Sequence, residues 1–177
     1  IHSYRNLNED DEIHVFGREP HLFYNRVLLP DYINNEKSWD AILLSETQEL
    51  AKLKVNYHQG SAIEKVSPEA KSITDAKGET HTYDTLILAT GSSPTQTMKT
   101  PPNMQGFFGL RTRRDADRIK SYLKEGGKAV IIGGGLLGLE LAGSLASLGI
   151  EVTIIQRSSR LMRAQLDDTG SDILHDE

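Results

Sequence analysis

The chain has 177 residues, of which 37% are hydrophobic, 25 are Asp or Glu and 20 are Lys or Arg, giving a formal net charge of −5. This mildly acidic balance argues against nucleic acid or an anionic membrane as a partner, and no apolar run reaches the length of a membrane span. The absence of cysteine excludes disulfides and a redox-active Cys pair within these residues, and we expect a cytoplasmic protein of one or two domains.

The N-terminal elements are typical of the second half of a βαβ unit. Residues 1–7 have helical spacing, and the alternating stretch 12–17 (EIHVFG) predicts a strand that ends near Glu19. We expect the first strand and glycine loop of this unit to precede Ile1. Arg26 then follows two aromatic residues, which suits a bound phosphate or a flat ring system. A surface Arg above a core-facing Leu row explains the same pattern equally well.

Short β segments dominate the middle of the chain. Before them, Ser45 and Gln48 have the spacing of a capping box for a helix over 46–52. Residues 55–84 predict a small β meander inserted into an α/β domain. The apolar run 85–89 (TLILA) predicts a return to the parent sheet, ending in a turn that begins with Thr90-Gly91. Such a turn exposes backbone N–H groups where these folds bind ligands, although an ordinary turn has the same composition.

The loop composition of residues 95–105 predicts a crossover between two domains, 1–105 and 106–177. Residues 107–111 are a candidate for a short strand. Thr112 is expected to cap a helix over 113–124, which leads into the most informative stretch of the chain.

That stretch is 128–157, KAVIIGGGLLGLELAGSLASLGIEVTIIQR, which predicts strand, glycine loop, helix and strand. The loop fits G-x-G-x-x-G. Gly133 allows the tight turn, Gly135 lets a pyrophosphate approach the backbone, and Gly138 lets the helix pack closely on the strand. The phosphates would meet the free N–H groups at the helix start, including that of Leu136. A plain strand-to-helix turn is the alternative, but it needs one glycine and not three.

The end of the second strand carries Gln156-Arg157 where an acid would bind the 2′-hydroxyl of NAD. An Arg at this point accommodates a 2′-phosphate. We therefore expect NADPH to be accepted at least as well as NADH.

Four segments carry a family resemblance: EIHVFGREPHLFYNRVLLP, YDTLILATGSSP, LRTRRDADRI and VIIGGGLLGLELAGSLASLGIEVTIIQRSSRLMRAQLD. In this order they resemble the flavoprotein oxidoreductases that bind two dinucleotides. The chain is most similar to the N-terminal flavin portion of assimilatory NAD(P)H nitrite reductase large subunits, chiefly through residues 24–29 (YNRVLL). Rubredoxin and ferredoxin reductases and NADH oxidases share the remaining segments.

The resemblance implies an α/β fold with two Rossmann-like three-layer units, both incomplete here, and a small β-meander insertion. It also implies FAD and NAD(P)H as cofactors and a set of site residues. By this resemblance Glu19 holds the adenosine ribose of FAD, Arg26 lies along the flavin, Thr90 and Gly91 form the second flavin motif, Gly133, Gly135 and Gly138 hold the NAD(P)H pyrophosphate, and Glu140 lies near the nicotinamide and flavin rings. A surface helix position is the alternative for Glu140.

The implied function is hydride transfer from NAD(P)H to FAD, with electrons passing to an acceptor domain or a carrier protein. A nitrite reductase would hold its siroheme and iron–sulfur centres outside this segment, and a homodimer is expected. We expect the isolated segment to be inactive, and the scattered histidines give no metal-ligand spacing. The alternative from another class is a non-catalytic dinucleotide-binding redox sensor, for which residues 24–30 and 85–94 would be superfluous.

Overall fold

The structure is a computed structural model that describes residues 1–95 and 104–176. The chain divides into two compact units, of which the first comprises Ile1–Tyr24 and Leu43–Ser92, and the second comprises Asn25–Ile42 and Ser93–Glu177. Most of the predicted crossover at 95–105 lies outside the described residues, and the domain boundary after residue 105 stays a prediction. None of the helices in the described ranges is long and apolar enough to cross a membrane.

Helices and strands are interspersed along the chain, which confirms the expected α/β class. In chain order they are α1 (His2–Arg5), β1 (Ile13–Gly17), α2 (Leu29–Ile33), α3 (Thr47–Lys52), β2 (Val55–Gln59), β3 (Ile63–Ser67), β4 (Ser72–Asp75), β5 (Thr80–Thr82), α4 (Arg113–Tyr122), β6 (Lys128–Ile132), α5 (Leu136–Ser147), β7 (Glu151–Ile155) and α6 (Asp168–Asp176), with short 3₁₀ turns at Arg26–Leu28 and Asp40–Ile42.

The first unit contains a parallel pair, β1 and β2, and an antiparallel meander of β3, β4 and β5. The pair runs in register from Ile13 opposite Val55 to Gly17 opposite Gln59. The prediction that the meander begins at residue 55 is therefore wrong for its first strand. A tight hairpin joins antiparallel strands only, whereas parallel strands need a long crossover connection. The connection from β1 to β2 is long enough for such a crossover and contains α3.

Three local predictions in the chain need correction. The capping box of Ser45 and Gln48 is wrong, because α3 begins at Thr47 with Glu46 as its N-cap, which places Ser45 outside the helix. Residues 85–89 form no strand, and Ile87 and Leu88 are 81% and 70% exposed. Residues 107–111 form none either. A strand is stabilised by a hydrogen-bonded neighbour, and neither segment has one among the described residues.

The second unit contains the predicted strand–helix–strand segment. β6 and β7 pair in parallel from Lys128 opposite Glu151 to Ile132 opposite Ile155, and α5 connects them. The predicted cap of α4 is also confirmed, since Thr112 and Asp115 form a reciprocal capping box. Packing of α2 against α4 and α5 forms the core of this unit, which includes Leu29, Ile33, Ile42, Ala116, Ile119, Leu145 and Ile150.

Candidate functional site

The glycine loop between β6 and α5 is shaped by two glycines that the chain itself requires. Gly133 has φ +117°, a conformation that disfavours any side chain. A Cβ at Gly138 would lie 2.0 Å from the carbonyl oxygen of Gly133, a backbone atom that cannot step aside. The start of α5 therefore lies directly against the end of β6, as the predicted spacing of the glycines indicates.

Gly135 differs from Gly133 and Gly138 because neither its backbone conformation nor its packing within the protein requires a glycine. It is the N-cap of α5, with φ −90° and ψ 179°, which any residue adopts. A Cβ there would meet no described atom within 4 Å. The space beside this backbone is open, as expected where a ligand approaches it.

The first turn of α5 presents backbone donors beside this space. No described residue accepts a hydrogen bond from the N–H of Leu136, Leu137 or Gly138, while the N–H of Leu139 already donates to the Gly135 carbonyl at 3.0 Å. The helix dipole adds partial positive charge at the same end. Open space, free donors and positive potential together suit a pyrophosphate.

Glu140 lies one turn further along α5 and is half-buried. Its Oε2 atom is buried without a hydrogen-bond partner among the described residues. An unpartnered buried carboxylate oxygen is costly, so this atom is suited to a partner group that the chain does not itself contain. This position is less solvated than a surface helix Glu.

Gln156 and Arg157, which are predicted to decide between NADH and NADPH, follow the end of β7, and their side chains have different surroundings. The side chain of Gln156 turns back to the glycine loop, where its Oε1 accepts a hydrogen bond of 2.9 Å from the N–H of Gly134. Arg157 is exposed and has no carboxylate partner among the described ion pairs. The structure brings Gln156 together with the loop and leaves the Arg157 guanidinium in solvent.

The segment after β7 folds onto the same loop, which the sequence reasoning missed. The N–H of Met162 donates to the Gly134 carbonyl at 2.9 Å, and Met162 itself has φ +49°. Ser171 on α6 donates to the Leu161 carbonyl at 2.9 Å, and Arg160 pairs with Asp168. A positive φ at methionine leaves no sequence signal, so this segment could not be found from residue types.

In the first unit, Glu19 follows β1 at the carboxyl end of the parallel pair, where α/β sheets bind ligands. Its carboxylate accepts a hydrogen bond of 2.6 Å from the Tyr24 hydroxyl, and its backbone carbonyl accepts one of 3.2 Å from Gly60. Tyr24 is buried and was missed as a partner, although its position five residues after the acid is visible in the sequence.

Thr90 and Gly91 are exposed, and Gly91 has φ +66°, so the turn there requires a glycine. No described hydrogen bond joins either residue to Glu19. Arg26 belongs to the second unit, where its guanidinium donates to the Arg111 carbonyl at 3.0 Å. The roles of these four residues toward a flavin stay predictions.

One group of side chains in the described part could hold a metal: Asp75, Glu79 and His81. Asp75 is buried, and its carboxylate accepts hydrogen bonds from the backbone N–H groups of Lys77 and Glu79, both at 2.9 Å, and from the Ser61 hydroxyl at 3.2 Å. Burial raises the pKa of Asp75, but these hydrogen bonds, together with the contact of 3.5 Å between His81 Nε2 and the same carboxylate, outweigh burial and lower the pKa overall. The carboxylate stabilises the β4–β5 turn, and no metal is needed to explain it.

Residues 2–177 match the family model described as pyridine nucleotide-disulphide oxidoreductase. The chain is 36% identical over 166 residues to the assimilatory nitrate reductase electron transfer subunit of Bacillus subtilis (strain 168), covering 94% of this chain and 22% of that protein. It is 34% identical over 174 residues to the nitrite reductase [NAD(P)H] large subunit of Klebsiella oxytoca, covering 98% of this chain and 18% of that protein.

Among solved structures, the chain is similar to NADH:rubredoxin oxidoreductase from Clostridium acetobutylicum, with a TM-score of 0.85 and 32% identity. That alignment covers 98% of this chain and 46% of the other. The chain thus spans under a quarter of the length of these two relatives and under half of the length of this solved structure.

Proposed function

The chain belongs to the pyridine nucleotide-disulphide oxidoreductase family, and from this premise we propose that it is the flavin-dependent NAD(P)H oxidoreductase portion of a larger electron-transfer enzyme. The observation that carries the proposal is the glycine loop: open space at Gly135 beside three unpartnered N–H groups at the start of α5. Hydride transfer between a dihydronicotinamide and a flavin is the chemistry that the bound cofactors supply. The chain's own residues bind and orient them.

The proposed nicotinamide dinucleotide lies at the glycine loop of the second unit. The N–H groups of Leu136, Leu137 and Gly138 donate to its pyrophosphate, and Gly135 keeps the approach clear. Arg157 provides a positive charge for a 2′-phosphate. The unpartnered Oε2 of Glu140 supports its proposed position near the reacting rings.

The proposed FAD residues are Glu19, for the adenosine ribose, with Arg26, Thr90 and Gly91. Support comes from the place of Glu19 at the carboxyl end of β1 and from the Tyr24 hydroxyl, which fixes its carboxylate. This support concerns only the proposed FAD-binding residues that the chain itself contains.

We propose that the electrons leave for an acceptor outside this chain. The similarity to nitrite reductase large subunits favours a siroheme and iron–sulfur centre, and a rubredoxin-like or ferredoxin-like carrier is the competing acceptor. The chain itself has no cysteine and therefore no disulfide to serve in this role. A cytoplasmic location, where NAD(P)H is supplied, and a homodimer complete the proposal.

The test is an anaerobic titration of the intact purified protein with NADPH and with NADH, monitored by flavin absorbance. Bleaching of the flavin by either donor is expected, and no bleaching by both would overturn the proposal. Reoxidation by nitrite, by a carrier protein or by oxygen then identifies the acceptor. A preference for NADH of about tenfold or more in dinucleotide binding would contradict the role given to Arg157.

A matched pair of variants connects the titration to the loop. Gly135→Ala places a methyl group in the open space and is expected to weaken both dinucleotides at least about tenfold. Gly143→Ala on the same helix also enters open space and should leave the titration unchanged. Equal behaviour of the two variants would move the proposed pyrophosphate away from Gly135.

A further inference from the structure

We propose that Gln156 is a positioning residue that holds the glycine loop in shape for the dinucleotide, and that it does not itself read the 2′-position. The proposal rests on the dinucleotide site proposed above. Gln156 stands at the end of β7, where an acid in NAD-binding sheets contacts the ribose. Its side-chain amide is occupied at both ends by groups of the protein.

The oxygen end of the amide is committed to the loop. Oε1 accepts the hydrogen bond of 2.9 Å from the N–H of Gly134, the central residue of the three consecutive glycines. The Gln156 side chain is half-buried, and its Cβ and Cγ would lie 3.5 Å from a Cβ added at Gly134. The contact therefore combines packing with a hydrogen bond to otherwise flexible backbone.

The nitrogen end is committed to the segment that follows. Nε2 donates to the Ser158 hydroxyl at 2.7 Å and approaches the Arg160 carbonyl at 3.5 Å, and the Ser158 hydroxyl donates to the same carbonyl at 2.9 Å. The Gly134 N–H can only donate and the Arg160 carbonyl can only accept, so the network needs a side chain with both functions. An amide meets this requirement, and a carboxylate does not.

A second hydrogen bond holds Gly134, because its carbonyl accepts a hydrogen bond of 2.9 Å from the N–H of Met162. The N–H of Gly133 is held as well, by the Ile155 carbonyl at 2.9 Å. Both polar backbone groups of Gly134 are thus used within the protein. Only the donors further along the loop and helix remain for a ligand, and Gln156 acts on that ligand through the backbone.

This arrangement assigns recognition of the 2′-position to the next residue, Arg157, which is exposed. The two neighbours then have separable effects. Loss of the Gln156 contacts disturbs the pyrophosphate site, which NADP⁺ and NAD⁺ share. Loss of the Arg157 charge disturbs only the part in which the two dinucleotides differ.

The experiment compares binding of NADP⁺ and NAD⁺ by intact wild-type protein and by Gln156→Met, which preserves side-chain length without the two hydrogen bonds. We expect Gln156→Met to weaken both ligands by a similar factor, about three- to tenfold, and to leave their affinity ratio within about twofold of wild type. Arg157→Ala should change the ratio. Arg163→Ala, which removes an exposed cation from the same segment, is the matched control.

Backbone amide exchange of the ligand-free protein gives an independent readout. Exchange in the peptide spanning residues 131–137 should be faster in Gln156→Met, faster to a smaller extent in Ser158→Ala, and unchanged in Arg163→Ala. Unchanged exchange in Gln156→Met, or a shift of the affinity ratio beyond about fivefold, would overturn the inference. If wild type bound neither dinucleotide, the proposed function would fail, while the exchange measurement would still test the contact of Gln156 with the loop.

Discussion

Replacing Gly138 by alanine tests the closest approach in the proposed site. The added Cβ would lie 2.0 Å from the Gly133 carbonyl oxygen, 3.2 Å from its carbonyl carbon and 3.4 Å from Cγ2 of Ile131. The first two of these atoms are backbone, so the contact cannot be relieved by a side-chain rotation. The start of α5 must move away from β6.

The size of the effect follows from two opposing contributions. Forcing an extra methyl group into a packed contact costs about 1–3 kcal/mol, and a 2.0 Å approach to backbone belongs in the upper part of that range. Alanine is favoured over glycine within a helix by up to about 1 kcal/mol, which offsets part of the cost. We expect Gly138→Ala to lower the free energy of unfolding by about 1–2 kcal/mol.

Gly143→Ala supplies the control, because its Cβ would meet no described atom within 4 Å and its site lies inside the same helix. We expect it to raise the free energy of unfolding by about 0.5–1 kcal/mol. Urea denaturation with linear extrapolation measures both changes. If the two variants altered the free energy of unfolding alike, the inferred contact between α5 and β6 would be wrong.

Three further changes test other contacts. Thr112→Ala removes the capping box of α4 and should lower the free energy of unfolding by about 1 kcal/mol in the same urea assay. The pKa of Asp75 is lower in the folded state than in the unfolded chain. Its carboxylate therefore stabilises the fold above the unfolded-state pKa of about 3.9, and this stabilisation is lost as the pH falls through the folded-state pKa. Asp75→Asn should make the acid-induced loss of stability shallower. Burial, with His14 and His81 nearby, lowers the folded-state pKa of His58, although Asp75 and Glu79 oppose this shift. Below about pH 6.5 the unfolded chain therefore binds more protons at His58 than the folded protein does, and stability falls as the pH drops. His58→Phe keeps an aromatic ring against Phe16 and should reduce this fall. Urea titrations between about pH 7 and pH 5.5 measure the difference.

Features set by residues close in the chain could be predicted from the sequence. The capping box of Thr112 with Asp115 and the order of β6, glycine loop, α5 and β7 depend on contacts within one or two turns or on glycine spacing. The tight approach at Gly138 follows from the same spacing. In these places local chemistry and the final structure agree.

Features set by distant partners could not be predicted in this way. The sequence of β2 is compatible with a hairpin or with a parallel strand, and only its pairing with β1 decides between them. Residues 85–89 have strand composition, but composition provides no hydrogen-bonded neighbour. The orientation of Gln156 is a further case, because a neutral amide could turn toward solvent or toward Gly134.

The glycine loop shows both kinds of feature. Some of its backbone groups are hydrogen-bonded to other parts of the protein, and others have no partner among the described residues. The N–H groups of Gly133 and Gly134 and the carbonyl of Gly134 are bound by β7 and the segment after it, whereas the donors of Leu136 and its two successors are not. Changes to the packing at Gly138 should therefore act first on stability, and changes to the hydrogen-bonded groups should act on affinity through the shape of the loop. A change at Gly135 should act first on affinity, since no described atom of the protein fills the space beside it. The contacts agree with the separate roles that the motif predicts for its three glycines: the φ of Gly133 and the packing at Gly138 are requirements of the chain itself, whereas Gly135 is the position that we propose meets the ligand.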